Sequence, residues 1–409
     1  MSMGTTSSPT PTPAAEETFP WERVCPFQPP QSYELFQTEP IRQVTLRDSG
    51  LRTWLVTGYH NIRLLLTDPR ISASRKHANF PFYFHAPPEF RTETSFIGYD
   101  EPDHGQTRGK AAVTFTNRRV KMLREQIEQI TDDAIAAMLQ MTPPVDMHFA
   151  LSLRVPMTVI CILLGIPEDK HEFFQENGTV LLGGIATMEQ RQAALVDVNE
   201  YLYELVALKE REPGDDLLSR AIAEYRNAGQ SYEQRDLVNL CRLLMNGGHE
   251  TTASMISLGT AALLEHPEQL ALLKADDSLI DPAVEELIRY LTIGDIAVPR
   301  VALEDIEIGG VTIGKGDGIL CLVLTGNRDP EVYDNPNDLI LSRGKRGHLG
   351  FGHGLHYCIG ADLARLELQI VWSKLFKAIP TLRLAKPFEE MGSKERAVIY
   401  GLWGLPVTW

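Results

Sequence analysis

Near its C-terminus the chain reads Phe351-Gly352-His353-Gly354-Leu355-His356-Tyr357-Cys358-Ile359-Gly360, followed by Ala361-Asp362-Leu363-Ala364-Arg365. The second stretch reads as the opening of a helix, which places the cysteine at its mouth. Free N–H groups and aligned dipoles favour negative charge there, a setting for a thiolate. Gly354 and Gly360 relieve the backbone where it must turn sharply or meet a flat partner. Phe351 supplies an apolar wall that keeps water from the sulfur. A thiolate shielded this way is a strong electron donor to a metal, and haem iron is the partner that suits it. A lone cysteine is ordinarily a small buried hydrophobe; the glycine-punctuated surroundings argue otherwise.

Two further constellations could do chemistry or hold it in place. Asn246-Gly247-Gly248-His249-Glu250-Thr251-Thr252 lies within a long helical stretch. Two glycines in a helix interior cost about 1 kcal/mol each against alanine, so another group must come close there. Thr251 can donate back to the carbonyl of Gly247, loosening the ladder and opening a groove. Tight packing on a second helix would account for the glycines as well. Glu286 and Arg289 stand one helical turn apart on one face, a pairing that many solvated helices also carry.

The decapeptide matches Phe-x-x-Gly-x-(Arg/His)-x-Cys-x-Gly at every defined position and strongly resembles the haem-binding loop of the cytochrome P450 monooxygenases. The resemblance runs from about Phe19 to Trp409. It implies a mainly α fold with small β-sheets, the haem lying between the long central helix and the helix after the cysteine. It implies haem b (iron protoporphyrin IX) with Cys358 as axial thiolate ligand, flanked by Phe351 and Gly360. Glu250 and Thr251 resemble the family's acid–alcohol pair: Thr251 would hold water and hydrogen-bond the bound dioxygen, and Glu250 would relay protons. His104-x-x-x-Arg108 and Arg300 take the places of propionate partners, since buried carboxylates need cations or donors. His348 and His356 are further candidates. Glu286-x-x-Arg289, completed by Arg343, resembles the buried cluster that fixes the cysteine loop, although Leu339 and Ile340 stand where Phe and Asp are usual.

For the substrate pocket the same resemblance points to Phe82 and Phe84 in an aromatic loop, Leu182 within 181–188, Asn246 and Gly247, Asp295 and Ile296, and Tyr400 within 399–402. Crowded aromatics suit a bulky, largely apolar ligand, on which Asn246 and Asp295 would hydrogen-bond a polar group. The activity implied is insertion of one oxygen atom from dioxygen, by hydroxylation or epoxidation, into a medium-to-large hydrophobic metabolite such as a macrolide, polyketide or terpenoid. Other haem-thiolate chemistry (oxidative coupling, desaturation, peroxygenation) is the alternative, with a haem sensor or carrier further off. No glycine-rich dinucleotide or flavin segment is visible, so electrons must come from outside, from a small acidic ferredoxin and its reductase. Arg343, Lys345, Arg346, Arg365, Lys374 and Lys377, joined by Arg118, Arg119 and Lys121, offer a basic docking face.

The elements that position these residues follow from periodicity. Val120, Leu123, Ile127, Ile130, Ala134 and Met138 predict one helix, and 148–164 predicts another that stops at Gly165. The longest covers 231–265, with Ser231-x-x-Gln234 as its capping box; Asp281-Pro282 caps the one that carries Glu286. Strand pairs are expected at 42–46 with 53–56 and at 305–308 with 311–313; 327–346 reads as irregular. With 43% hydrophobic residues among 409, a large core is available. A net charge of −15 argues against nucleic acid and anionic membranes. Five scattered cysteines without a CxxC argue against a disulfide framework or zinc site and for a reducing cytoplasm. The longest apolar run, 155–166, falls short of the ~20 residues that span a bilayer, so no membrane anchor is expected. Ser, Thr and Pro crowd residues 1–20 into a low-complexity, disordered arm, leaving 21–409 as one domain.

Overall fold

The computed structural model describes residues 18–23, 25, 27–83, 91, 95–182, 186–296, 298–344, 346–394 and 397–409. Among them the chain is mainly helical with three small sheets, as the resemblance implied. The long periodic stretch is one helix, Gln234–Glu265. Its 32 residues rise roughly 48 Å at 1.5 Å each. Every residue from 252 to 263 is buried, and a helix covered on all sides belongs in a core. Its start differs from the expected Ser231 box. The Glu233 side chain accepts from the N–H of Asp236, and the Asp236 carboxylate accepts from the N–H of Glu233 at 3.0 Å. Two carboxylates at a helix start satisfy the same orphan donors and add charge that the dipole favours.

The helix that follows the cysteine, Ala361–Ala378, packs against this central helix. Trp372 lies so near Gly259 that a Cβ there would stand 2.2 Å from its ring. Its Nε1 donates to Thr260 Oγ1 at 3.2 Å. That contact sets how closely the two helices that must flank a cofactor approach one another. Elsewhere the predicted helices hold with local changes. The first divides at Leu123 into Asn117–Met122 and Arg124–Leu139. The second opens as a π-helical segment, His148–Ser152, and continues as Arg154–Leu164 to a left-handed Gly165 (φ 75°). Asp281 is not a cap: it lies inside Ile280–Leu291, which is led in by a 3-10 turn whose cap is Asp276.

The largest sheet runs in the order Thr18–Phe19, Ile41–Leu46, Arg52–Val56, Gly318–Cys321, Pro299–Ala302, Ile71–Ser72. Thr18 and Phe19, expected within the arm, pair parallel to Thr45 and Leu46; residues 1–17 lie outside the described residues. Ile306–Ile308 and Val311–Ile313 form the expected hairpin, turning on Gly309 (φ 55°) and Gly310 (φ 80°), as a two-residue turn of matching twist requires. Among the described residues no helix is long and apolar enough to cross a membrane.

Candidate functional site

The cysteine loop is two short 3-10 turns, Leu349–Phe351 and Gly354–His356, separated by Gly352 at φ 73°. Gly354 (φ 70°) passes so close to the preceding layer that a Cβ would sit 2.3 Å from the Leu66 carbonyl oxygen. The backbone N–H of Cys358 donates to the Phe351 carbonyl at 2.9 Å, which closes the loop. Cys358 is a free thiol and accessible. The helix-mouth reading expected it to ionise readily. Instead, desolvation by the protein around the sulfur raises the thiol above its usual value, and the N–H of Gly360 with the charges of Arg108 and Arg365 offsets only part of this. A metal bound at this sulfur would supply the ionisation, since coordination favours the thiolate.

Two buried acids clamp this loop, and only one was foreseen. Glu286 accepts from Arg289 through both oxygens at 2.8 Å and from Arg343 Nε at 3.1 Å. Arg289 spends its remaining donors on the carbonyls of Asn327, Pro336 and Asp338. Next to it Glu285, missed in the sequence, accepts from His348 Nε2 at 3.0 Å and from Arg365 Nε at 2.5 Å. It thereby ties the helix Ile280–Leu291 to both ends of the cysteine loop. Asn327 was missed too; its Oδ1 accepts from the Leu349 N–H at 2.6 Å. His348 is corrected by the same contacts: Nε2 is on Glu285 and Nδ1 accepts from the Gly350 N–H, so neither nitrogen is left for a propionate.

Burial pushes the Glu285 carboxyl up, and the bonds from His348 and Arg365 more than reverse it, leaving it at about 2. A depressed acid contributes stability above its unfolded value and loses it as pH falls through the folded one. The shift is worth about 3 kcal/mol. Stability is therefore expected to drop between the ordinary 4.5 and about 2, measured by denaturant midpoints across pH. In Glu285→Gln that drop should shrink; an unchanged acid profile would remove Glu285 from the account.

Beside the loop four cationic or basic groups gather. The rings of His104 and His356 are 4.4 Å apart, and Arg108 donates to the Tyr357 carbonyl at 2.6 Å. Burial, then the charges of Arg300, His104 and Arg108, push His356 down to about 3. Arg300 is buried and donates to the Pro299 carbonyl; among the described residues no carboxylate lies within ion-pair distance of it. His104 is buried with Nε2 unpartnered, and its Nδ1 is 3.5 Å from Glu101. Cations and donors buried without anions of their own fit a ligand that brings carboxylates. Haem, with a free thiol beside this cluster, is such a ligand.

On the central helix the two glycines divide the two readings between them. A Cβ on Gly248 would stand 2.5 Å from Ile160, a helix-packing contact, whereas one on Gly247 would meet nothing within 4 Å. Thr251 Oγ1 donates to the Gly247 carbonyl at 2.5 Å. Asn246 and Leu181 line one cavity between helices with Phe174, Met245 and Arg242. Phe82 is buried against Phe80, ring centroids 4.8 Å apart. Phe84 lies outside the described residues, as does the side chain of Leu182. Ile296 packs into the sheet cluster with Tyr33 and Leu320. Asp295 is corrected: Tyr33 donates to it at 2.6 Å, the Leu324 N–H at 2.9 Å, and Arg23 is 3.7 Å away. Its carboxylate is engaged inside the fold rather than offered to a substrate. Tyr400 is buried with the Arg23 guanidinium 4.2 Å from its ring centre.

The basic face shrinks as well. Arg343 and Arg365 serve the clamps, Lys374 pairs with Asp132 and Lys377 with Asp277, and Arg119 approaches Asp215. Lys345 lies outside the described residues. Arg118, Lys121 and Arg346 are exposed.

The family model described as Cytochrome P450 matches residues 18–378. Cytochrome P450 105A3 of Streptomyces carbophilus is 43% identical, the match covering 96% of this chain and 95% of that one. Pentalenic acid synthase of Streptomyces avermitilis is 41% identical over 97% of this chain and 98% of its own. The crystal structure of cytochrome P450 MoxA from Nonomuraea recticatena agrees at a TM-score of 0.92 and 44% identity, covering 96% of this chain and 98% of that one. Likeness of that extent, on top of the clamped thiol loop and its anion-seeking surroundings, means that the chain belongs to the cytochrome P450 family of haem-thiolate monooxygenases.

Proposed function

We propose that this monooxygenase holds haem b through Cys358 and oxidises a medium-to-large, largely apolar metabolite, drawing electrons from a small acidic ferredoxin and its reductase. The observation that carries the reading is the cluster of Arg300, His104, His356 and Arg108, in which, among the described residues, His104 with Glu101 is the one ion pair, and which borders the loop of a free thiol. When bound, haem supplies the redox chemistry of dioxygen. Cys358 would ligate the iron, and the basic cluster would hold the two propionates. Thr251, tethered to the Gly247 carbonyl, would hold a proton at Oγ1, with Glu250 behind it as the acid. Gly247 leaves room on that face, and Phe80 with Phe82 gives an apolar wall.

The names of two relatives support a metabolite as substrate: the pentalenic acid synthase and a 20-oxo-5-O-mycaminosyltylactone 23-monooxygenase of Streptomyces fradiae, 36% identical. Exposed Arg118, Lys121 and Arg346, with Leu355 and Tyr357 exposed on the cysteine loop, support docking of an acidic carrier on that side. Five free cysteines support a reducing cytoplasm. The test begins with ligands that shift the Soret band. Each is incubated with heavy-isotope dioxygen, ferredoxin, reductase and NADPH, and products are weighed by mass spectrometry. One labelled oxygen atom in a product is expected. Label that goes only into water or peroxide with every Soret-shifting ligand would overturn the proposal.

A further inference from the structure

Glu250 is held by a partner that the acid–alcohol pair alone does not explain. Its Oε1 accepts from Lys394 Nζ at 2.7 Å, with the lysine side chain 2% exposed and the carboxylate 15%. A lysine is almost never buried unless paired, and removing its mate is costly. Lys394 reaches this place from a C-terminal hairpin, where its N–H donates to the Gly401 carbonyl at 2.8 Å and Ser393 bridges Leu402. The hairpin presses on the central helix one turn past Glu250: a Cβ on Gly401 would stand 2.6 Å from Ser254 Oγ.

Around this ion pair gather buried polar atoms with no partner among the described residues. They are Glu250 Oε2, His249 Nδ1 and Ser254 Oγ on the central helix, and His148 Nε2 and Ser152 Oγ on the π-helical segment. Each histidine uses its other nitrogen, His148 on Ser257 Oγ and His249 on the Leu153 carbonyl, both at 2.9 Å. Burial above all, with the charge of Lys394 adding to it, holds His148 at about 3 and His249 at about 4. Both rings are thus neutral, able to donate at one nitrogen and accept at the other. Leftover buried donors and acceptors at this density ordinarily hold ordered water, and π-helical segments recur at functional sites.

We propose that Lys394 is a positioning residue that pins Glu250 by one oxygen, so that the other, Oε2, faces a file of water running between the central helix and the π-helical segment. Lys394 keeps its proton throughout. The Glu250 carboxylate takes a proton at Oε2 from the water file, passes it on to Thr251 Oγ1, and returns to the carboxylate that Lys394 holds. The role of Lys394 rests on the reading of Glu250 and Thr251 as the proton-delivery pair, and it adds the device that orients the acid.

The test compares holoenzymes of the wild type, Lys394→Met, Lys394→Arg, Glu250→Gln and the double variant Lys394→Met/Glu250→Gln. Each is given NADPH, a plant-type ferredoxin and its reductase without organic substrate, and the share of consumed dioxygen released as hydrogen peroxide is measured. Peroxide leaves when the O–O bond survives; water forms when it breaks, which draws more protons. The peroxide share is expected to rise severalfold in Lys394→Met, to return towards wild type in Lys394→Arg, and to be the same in Glu250→Gln with or without Lys394. Independently of turnover, denaturant unfolding should find the double variant no less stable than Lys394→Met, because removing the stranded carboxylate relieves it. A wild-type peroxide share in Lys394→Met, a rise that adds to that of Glu250→Gln, or additive stabilities would overturn the proposal. Wild-type protein that takes up no haem would instead sink the reading of the site, and the stability cycle would still judge the ion pair.

Discussion

Cys358→Ala is expected to fold, to take up little haem, and to lose oxygen insertion to background. Every support of the loop is independent of the sulfur: the Glu285 and Glu286 clamps, the Asn327 bond to Leu349 and the left-handed Gly352 and Gly354 all remain. Trimming the sulfur gives up only its contact with the Gly360 N–H, a loss of about 1 kcal/mol, so the denaturant midpoint of the cofactor-free protein should move little. Electron donation into the iron, by contrast, has one source. His104 and His356 stand nearby, yet both are held against one another and below the usual histidine range by burial. The carbon monoxide difference spectrum of reduced protein checks the outcome directly. A thiolate-type band surviving in Cys358→Ala would show that the ligand had been misassigned.

The second large effect is structural. Arg289→Leu removes five hydrogen bonds from one buried guanidinium: two on Glu286 and one each on Asn327, Pro336 and Asp338. Arg343 and the Ile340 N–H remain on Glu286, and Arg343 Nη2 stays 3.5 Å from the Asp338 carbonyl, but the carbonyls of Asn327 and Pro336 lose their donor. Breaking a buried pair from one side costs roughly 3–5 kcal/mol, against a total stability of about 5–15 kcal/mol. A large fall in the denaturant midpoint is expected, with haem content falling alongside it. Arg289→Lys should recover little, because a point charge cannot make the planar fork. A midpoint for Arg289→Leu within about 0.5 kcal/mol of the wild type, the range of an ordinary surface change, would mean that the cluster is ornamental.

What the sequence disclosed is what short chain separation carries. The thiol loop spans ten positions, Thr251 bonds four residues back, and Glu286 meets Arg289 three residues on. Such contacts are written in spacing. Partners far apart in the chain left no such trace. Asp295 looked available until Tyr33 arrived from 262 positions away, and nothing near Glu250 in the sequence announced Lys394, 144 positions on. The basic face shrank for the same reason, since a run of cations shows its charges but not the aspartates that meet them. Glu285 is the exception that could have been read. An acid directly preceding the Glu-x-x-Arg pair, on a helix that packs on the loop, was visible but had no spacing rule to single it out. Caps erred by a few residues because Ser, Glu and Asp compete for one task near any helix start.

Adjacent glycines on the central helix carry a consequence for anyone reshaping this catalyst. Position 248 is fixed by its neighbour helix, where even one methyl collides with Ile160, while position 247 faces unfilled volume. Under the proposed reading, only the latter would tune the chamber, since a methyl there meets no other group within 4 Å.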